Sequence, residues 1–146
     1  MRTIVHLSDL HFGRVNPDLL GPLTRAIRAV EPDLIAISGD LTQRARSHQF
    51  QQARSFLDAL PKPQIVVPGN HDIPLHNVFA RFLEPLTKYK HYITTDLQPV
   101  YADDELIIIG VNTARSSVFK GGRINKSQVV RLREKFCSLD DRVVKA

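Results

Sequence analysis

The first 67 residues alternate short apolar runs with segments of helical periodicity, and this order restricts the fold more than any other feature of the chain. The pattern predicts strands over 3–8, 33–38 and 64–67. It also predicts a helix that begins at Asn16-Pro17 and a second helix that Ser47 caps and Pro61 ends. A β-α-β-α-β order makes the strands parallel, with right-handed crossovers. The continuous apolar run at 33–38 is typical of a central strand covered on both faces.

The second half of the chain follows a different pattern, in which strands follow one another without helices between them, at 91–96, 98–102 and 105–111. Asp103-Asp104 is predicted to close a hairpin between the last two. A helix is predicted from Asn77, distorted near Pro85, and a final helix over 127–139. The predicted class is therefore α/β, with a mixed sheet or the start of a second sheet.

Composition places the chain among ordinary globular proteins. With 146 residues, 42% hydrophobic and 24% charged, it is long enough for one domain with a core, predicted over 1–146. The single cysteine, Cys137, excludes a disulfide framework. No apolar run approaches the ~18 residues of a membrane span, and the start of the chain passes into a strand pattern rather than a signal peptide. We therefore expect a cytoplasmic protein that does not enter a membrane.

Each of the first three predicted strands ends in a polar cluster: Ser8-Asp9-Leu10-His11, Ser38-Gly39-Asp40 and Pro68-Gly69-Asn70-His71-Asp72. Ligands of open α/β sheets bind beyond the carboxyl ends of the strands. The three clusters are therefore expected to meet at one edge, although tens of residues separate them in the sequence. Gly39 and Gly69 allow the backbone to turn sharply where the second and third clusters begin.

The residue types in these clusters suit a divalent metal. Asp9 and His11, two apart on an extended segment, can point the same way. Carboxylate and imidazole together favour Mn, Fe or Zn over Ca. One carboxylate of Asp40, on the predicted central strand, could bridge two ions, and Asn70 offers a neutral carbonyl oxygen. Two ions about 3.5–4 Å apart would activate a water and stabilise an in-line displacement at phosphorus.

Each of these residues has a plainer interpretation when it is taken alone. Asp9 and Asp40 are typical turn or cap residues, and Asn70 after Gly69 is a common turn pair. His71 alone would more often be an exposed residue than a catalytic one. The joint pattern of Asp-x-His, Gly-Asp and Gly-Asn-His-Asp, each after an apolar strand, favours the metal site instead.

These motifs resemble those of the calcineurin-like metallophosphoesterase superfamily, and the opening Ser8-Asp9-Leu10-His11-Phe12-Gly13 looks like class III cyclic nucleotide phosphodiesterases and related bacterial phosphohydrolases. The resemblance implies a β-sandwich of two mixed sheets flanked by helices. It implies a phosphodiesterase or phosphatase that uses two divalent ions (Mn, Fe or Zn) and a metal-bridging hydroxide on a small phosphoester.

By the same resemblance, Asp9 and His11 would hold the first ion, Asp40 would bridge, and Asn70 would hold the second. His71 would contact the substrate phosphate and help the leaving group depart, oriented by Asp72. Arg14 and His76 are weaker candidates for substrate contacts, since an arginine just past the first cluster more often faces water and His76 more often starts a helix or lies on the surface.

The sequence also departs from the family pattern, because the family's later Gly-His and Gly-His-x-His motifs have no counterpart after His91. We therefore expect a C-terminally truncated domain whose 146 residues bind at most one ion loosely, with weak or no activity. An unpaired sheet edge is then expected to support self-association, such as a homodimer.

Charge is concentrated in the last stretch, where residues 113–146 carry nine Lys and Arg against three Asp and Glu. A positive field of this kind attracts nucleic acid, so a nuclease built on the same site is the alternative activity. No platform of aromatic and basic residues accompanies it, and a solvated helix face explains the charge equally well. A non-catalytic scaffold is the alternative of a different class, because the site is incomplete in this chain.

Overall fold

Three parallel strands form the first sheet of the computed structural model, which describes residues 2–75, 83–115, 122–138 and 143–146. Their order is β1 (Ile4–Leu7), β2 (Leu34–Ser38) and β3 (Gln64–Val67). Ile37 of β2 lies opposite Leu7 of β1 and Val66 of β3. The central position and parallel direction of β2 confirm the sequence prediction.

Two helices connect these strands, α1 (Pro17–Ala29) and α2 (Ser47–Ala59). The start of α1 is confirmed, because the Asn16 side chain accepts a hydrogen bond from the Asp18 backbone N–H at 3.1 Å and Pro17 occupies the first turn. Apolar residues of both helices form one core with the face of the sheet that they cover; its buried members include Ile27, Ile35, Ile37, Phe50, Ala53, Phe56, Leu57 and Val66.

The start of α2 differs by one residue from the prediction. Ser47 is the first residue of the helix, and Arg46 holds the cap position without a capping side chain. Gln49, at the third helical position, satisfies a different donor: its Oε1 lies 3.4 Å from the Arg46 backbone nitrogen and accepts from that N–H. This is the glutamine half of a capping box, and the Gln49 N–H, which a capping side chain would otherwise bind, donates to the Arg46 carbonyl at 3.0 Å.

The strand predicted over 91–96 is wrong, because His91 and Tyr92 end a short helix, α3 (Thr87–Tyr92). Helical spacing brings Tyr89 and Ile93 into the core, and the Tyr89 hydroxyl donates to the Val66 carbonyl at 3.1 Å. The predicted helix from Asn77 lies mostly outside the described residues.

A second, mixed sheet contains β4 (Val100–Ala102), β5 (Leu106–Ile109) and β6 (Val144–Lys145). The predicted hairpin is confirmed, since β4 and β5 are antiparallel and the Asp103 carboxylate accepts from the backbone N–H groups of Glu105 and Leu106 in the turn. The final helix, α4 (Lys126–Cys137), precedes β6, which runs parallel to β5. Two small sheets flanked by helices agree with the fold class that the sequence predicts.

None of the helices in the described part of the chain combines the length and the hydropathy that crossing a membrane requires.

Candidate metal centre

The loops that follow β1 and β2 are joined by backbone hydrogen bonds. The His11 N–H donates to the Asp40 carbonyl at 2.9 Å, and the Phe12 N–H donates to the Leu41 carbonyl at 2.8 Å. The Gln43 N–H returns a bond to the Phe12 carbonyl at 3.0 Å. This short ladder fixes the position of the first loop relative to the second, as the parallel sheet leads us to expect.

The loop after β3 reaches the same place. Gly39 donates to the Val67 carbonyl at 3.0 Å, and the His71 N–H donates to Oδ1 of Asp40 at 3.0 Å. Gly69 approaches so closely that a Cβ there would overlap the Asp40 carboxylate and its backbone nitrogen. A glycine is therefore required by the packing of the two loops.

Three candidate ligand residues adopt the left-handed backbone conformation, with φ of 55° at Asp9, 45° at His11 and 52° at Asp40. Left-handed residues other than glycine are uncommon, although Asp and His tolerate this region better than most. Each such residue carries conformational strain that the surrounding structure must offset, and strain of this kind clusters at functional sites. Its coincidence with the predicted ligands supports a functional role for this edge of the sheet.

The same three side chains converge. One ligand atom each of Asp9, His11 and Asp40 lies within 4.8 Å of the other two. Nε2 of His11 is 3.7 Å from Oδ1 of Asp9, and the buried Nδ1 of His11 has no hydrogen-bond partner among the described residues. Two carboxylates around an imidazole with an unpartnered nitrogen are a donor set that fits a divalent transition metal.

Asp72 has a different position from the one predicted. Its carboxylate is 1% exposed and accepts from the backbone N–H groups of Leu41, Thr42 and Gly69, and from the Thr42 hydroxyl, at 2.9–3.2 Å. Burial raises the pKa of Asp72 to about 6, although these four donors act in the opposite direction. Asp72 therefore joins the second and third loops.

The orientation of His71 comes from Gln43 rather than from Asp72. Nδ1 of His71 lies 3.0 Å from the Gln43 carbonyl oxygen, which can only accept, so Nδ1 carries a proton. The ring meets that of His11 edge to face, with centroids 4.9 Å apart. The expectation that Asp72 orients this imidazole is thus corrected: its four hydrogen bonds are made elsewhere.

The remaining predicted residues lie in different surroundings. Asn70 begins a 3-10 turn (Asn70–Asp72) and, with Asp40, lines a cavity of about 270 Å³ that is also lined by residues 111, 113, 114 and 122. Arg14 is exposed, and its backbone N–H donates to the His11 carbonyl. His76 lies outside the described residues.

Sequence reasoning missed Thr42 and Gln43 as partners of Asp72 and His71, since neither the Thr42 hydroxyl nor a backbone carbonyl leaves a motif in the sequence. Gln49 left a signal, namely a glutamine at the third position of a helix. With the cap predicted at Ser47, the third helical position is Phe50. With the cap at Arg46, as in the structure, the third helical position is Gln49.

Carboxylate and imidazole ligands at the carboxyl edge of a parallel sheet define a candidate centre of the metal-dependent hydrolase type. The calcineurin-like phosphoesterase family model matches residues 2–141, so the chain belongs to this family. The resemblance seen in the sequence motifs is thereby confirmed.

Three relatives illustrate the range of this similarity. Glycerophosphodiester phosphodiesterase GpdQ of Enterobacter lignolyticus is 32% identical over 94 residues, 57% of this chain and 33% of that protein. UDP-2,3-diacylglucosamine pyrophosphatase LpxG of Chlamydia trachomatis is 35% identical over 72 residues, 47% and 22% of the two chains. A protein named as a probable cyclic nucleotide phosphodiesterase of Synechococcus is 27% identical over 81 residues, 49% and 32%. The matches thus span a third or less of each relative.

Proposed function

We propose that the chain provides a divalent-metal site for hydrolysis of small phosphodiesters, with Asp9, His11, Asp40 and Asn70 as ligands. The observation that carries this proposal is the convergence of Asp9, His11 and Asp40 within 4.8 Å, from loops that begin about 30 residues apart. Membership of the calcineurin-like phosphoesterase family supports phosphoester hydrolysis as the reaction class.

The donor set supports one strong position and one weaker one. Asp9, His11 and Asp40 offer three ligands to a first ion, as in catalytic zinc sites with an open position. Asp40 and Asn70 offer only two to a second ion, and one of them is a neutral amide. We propose that the full activity would use two ions with Asp40 as a ligand of both, and that the ligands named here hold the first ion more tightly than the second.

A bound divalent ion supplies Lewis acidity and lowers the pKa of a coordinated water toward neutrality. Residues of the protein hold the reacting groups in place and supply a proton. The Asp72 carboxylate holds the second and third loops together by accepting from the backbone N–H groups of Leu41 and Thr42. The His71 N–H donates to Asp40 across the same two loops, so the carboxylate of Asp40 and the imidazole of His71 keep a fixed separation. Because the Gln43 carbonyl holds a proton on Nδ1 of His71, a proton for the leaving oxygen would come from Nε2 of the doubly protonated imidazolium, which returns to the neutral Nδ1–H form.

The substrate class that we propose rests on the relatives and on the cavity. The three relatives are named for glycerophosphodiesters, a UDP-sugar pyrophosphate linkage and cyclic nucleotides, all of which contain a phosphorus bridged between two groups. A cavity of about 270 Å³ beside Asp40 and Asn70 is large enough for a small group attached to such a phosphate. Small phosphodiesters are therefore favoured over nucleic acid.

Calorimetric titration with Mn²⁺ tests the site. We expect one Mn²⁺ per chain, with binding lost in Asp40→Asn and unchanged in Asp18→Asn, which alters an exposed carboxylate in the first turn of α1. No binding by the wild type, two tight sites, or binding that survives Asp40→Asn would contradict the ligand assignment.

Hydrolysis of bis-p-nitrophenyl phosphate tests the reaction, with p-nitrophenyl phosphate and single-stranded DNA as competing substrates. We expect weak Mn²⁺-stimulated diester hydrolysis that Asp40→Asn abolishes. Faster cleavage of DNA would favour a nuclease. Metal binding without hydrolysis of any of these esters, by the chain or by a longer protein that contains it, would contradict the proposed activity.

A further inference from the structure

Gln49 is a buried polar residue that the proposed chemistry does not use. It lies in the first turn of α2 and is 5% exposed, whereas its neighbour Gln52 on the same helix is exposed. Burying an amide is unfavourable unless its hydrogen bonds are replaced. Its partners therefore indicate what the side chain does.

One side of Gln49 binds the loop that follows β2. Its Oε1 accepts from the backbone N–H of Arg44 at 3.0 Å and from that of Arg46 at 3.4 Å. Ala45, between these two, is 2% exposed and has a φ of 49°. The left-handed conformation is unfavourable for an alanine, so other contacts must stabilise it. The hydrogen bonds from the residues before and after Ala45 to the single Oε1 of Gln49 provide such contacts.

The other side of Gln49 rests on the loop that follows β1. Gly13 has a φ of 104°, and a Cβ at this position would overlap Nε2 of Gln49 and lie 2.8 Å from its Cδ. Gly13 lies two residues after His11 in the first loop, and Arg44 lies four residues after Asp40 in the second. The amide thus contacts both loops that carry candidate ligands.

The two loops are joined by the backbone ladder between Phe12 and residues 41–43, and Gln49 lies at the outer end of that ladder. Loosening this end allows the loops to separate, which would move His11 relative to Asp40. Groups that orient ligands without touching the metal commonly contribute 10–100-fold in metal affinity.

We propose that Gln49 is a positioning residue that sets the separation of the His11 and Asp40 loops and thereby the affinity for a divalent metal. This inference rests on the proposed metal site, and it assigns a role to a residue outside the ligand set.

Mn²⁺ affinity, measured by calorimetry, distinguishes positioning from simple stabilisation. We expect Gln49→Leu, which removes the shared acceptor, to weaken Mn²⁺ binding by at least about tenfold. Gln49→Glu retains an oxygen for both N–H groups and should stay within about threefold of the wild type. Gln52→Leu, the control on the same helix, should leave the affinity unchanged.

Urea unfolding with EDTA gives the folded fraction of each metal-free variant. If Gln49 only stabilises the fold, the apparent Kd for Mn²⁺ rises by the inverse of the folded fraction. The apparent Kd of a variant that is nine-tenths folded would then rise by about 1.1-fold. A folded Gln49→Leu variant whose Mn²⁺ affinity matches that of Gln52→Leu would overturn the proposal.

If Gln49→Leu does not fold, Gln49→Asn takes its place, because it keeps an amide at this position but shortens its reach by one methylene. Mn²⁺ affinity should again fall about tenfold, and an unchanged affinity would overturn the proposal. A wild-type chain that binds no Mn²⁺ would instead refute the metal site itself.

Discussion

Gly69→Ala tests the packing on which the proposed site depends. The backbone of Gly69, with a φ of −104°, is acceptable to any residue, so the substitution introduces no conformational strain. The added methyl group overlaps the Asp40 carboxylate and the Asp40 backbone nitrogen, and it lies 2.8 Å from Cγ of Asp40. Because a backbone nitrogen cannot rotate away, the loop after β2 or the loop after β3 must move.

The size of the effect follows from this overlap. Overpacking by a methyl group in a tight site costs about 1–3 kcal/mol. For a chain of this length each kcal/mol lowers Tm by roughly 2–4 °C, so the melting temperature should fall by about 2–12 °C. Moving Asp40 also displaces its carboxylate from Asp9 and His11, and Mn²⁺ affinity should fall at least about tenfold.

Thermal unfolding by circular dichroism in EDTA and calorimetric Mn²⁺ titration measure the two effects. Gly21→Ala is the matched control: Gly21 lies in α1, and the nearest neighbour of an added Cβ is an Arg25 side-chain nitrogen at 3.5 Å. This control should change stability by less than about 1 kcal/mol and leave metal binding intact. A Gly69→Ala variant that behaves like Gly21→Ala would refute the close approach of the two loops.

Three further substitutions probe separate parts of the account. Asp72→Ala leaves the backbone N–H groups of Leu41, Thr42 and Gly69 without their acceptor and should lower the free energy of unfolding by about 3 kcal/mol or more in urea titrations. A loss under about 1 kcal/mol would contradict its role in joining the loops. Tyr89→Phe removes the buried hydrogen bond to the Val66 carbonyl and should lower the free energy of unfolding by about 1 kcal/mol. Tyr92→Phe keeps its ring stacked on Phe50 and should lower it by less than about 0.5 kcal/mol. Equal losses in the two variants would show that the Tyr89 hydroxyl does not contribute to stability. In any form of the protein that hydrolyses phosphodiesters, His71→Ala should leave Mn²⁺ binding nearly intact and lower kcat about 10²–10⁴-fold. The decrease in kcat should be smaller for esters with a good leaving group such as nitrophenol. Equal decreases for good and poor leaving groups would exclude proton donation by His71.

The parallel sheet was predictable because its signals are local and strong. Each strand of that sheet is a short apolar run, and Asn16-Pro17 is a start signal that depends only on neighbouring residues. Strand ends in a parallel sheet share one edge, so the meeting of Asp9, His11 and Asp40 followed from the order of elements alone.

The predictions were wrong where contacts with residues distant in the sequence determine the conformation or the hydrogen-bond partners of a residue. The segment 91–96 has strand-like composition, yet burial of Tyr89 and its bond to Val66 favour a helical start. In the same way, Asp72 could not be placed from its motif, since the backbone N–H groups that bind it belong to a loop some 30 residues earlier. Propensity and motif describe a residue's neighbours in sequence, whereas these residues are determined by neighbours in space.

The most direct test of the account is titration of the chain with substoichiometric Mn²⁺ while the ring signals of its six histidines are followed by NMR. Paramagnetic broadening reports distance from the bound ion. The signals of His11 are expected to broaden at the lowest Mn²⁺ ratio, followed by those of His71, whose ring centroid lies 4.9 Å from that of His11, with the remaining histidines broadening only at higher ratios. Uniform broadening of all histidines, or broadening that begins at His48 or His91, would contradict a metal centre at the ends of these strands.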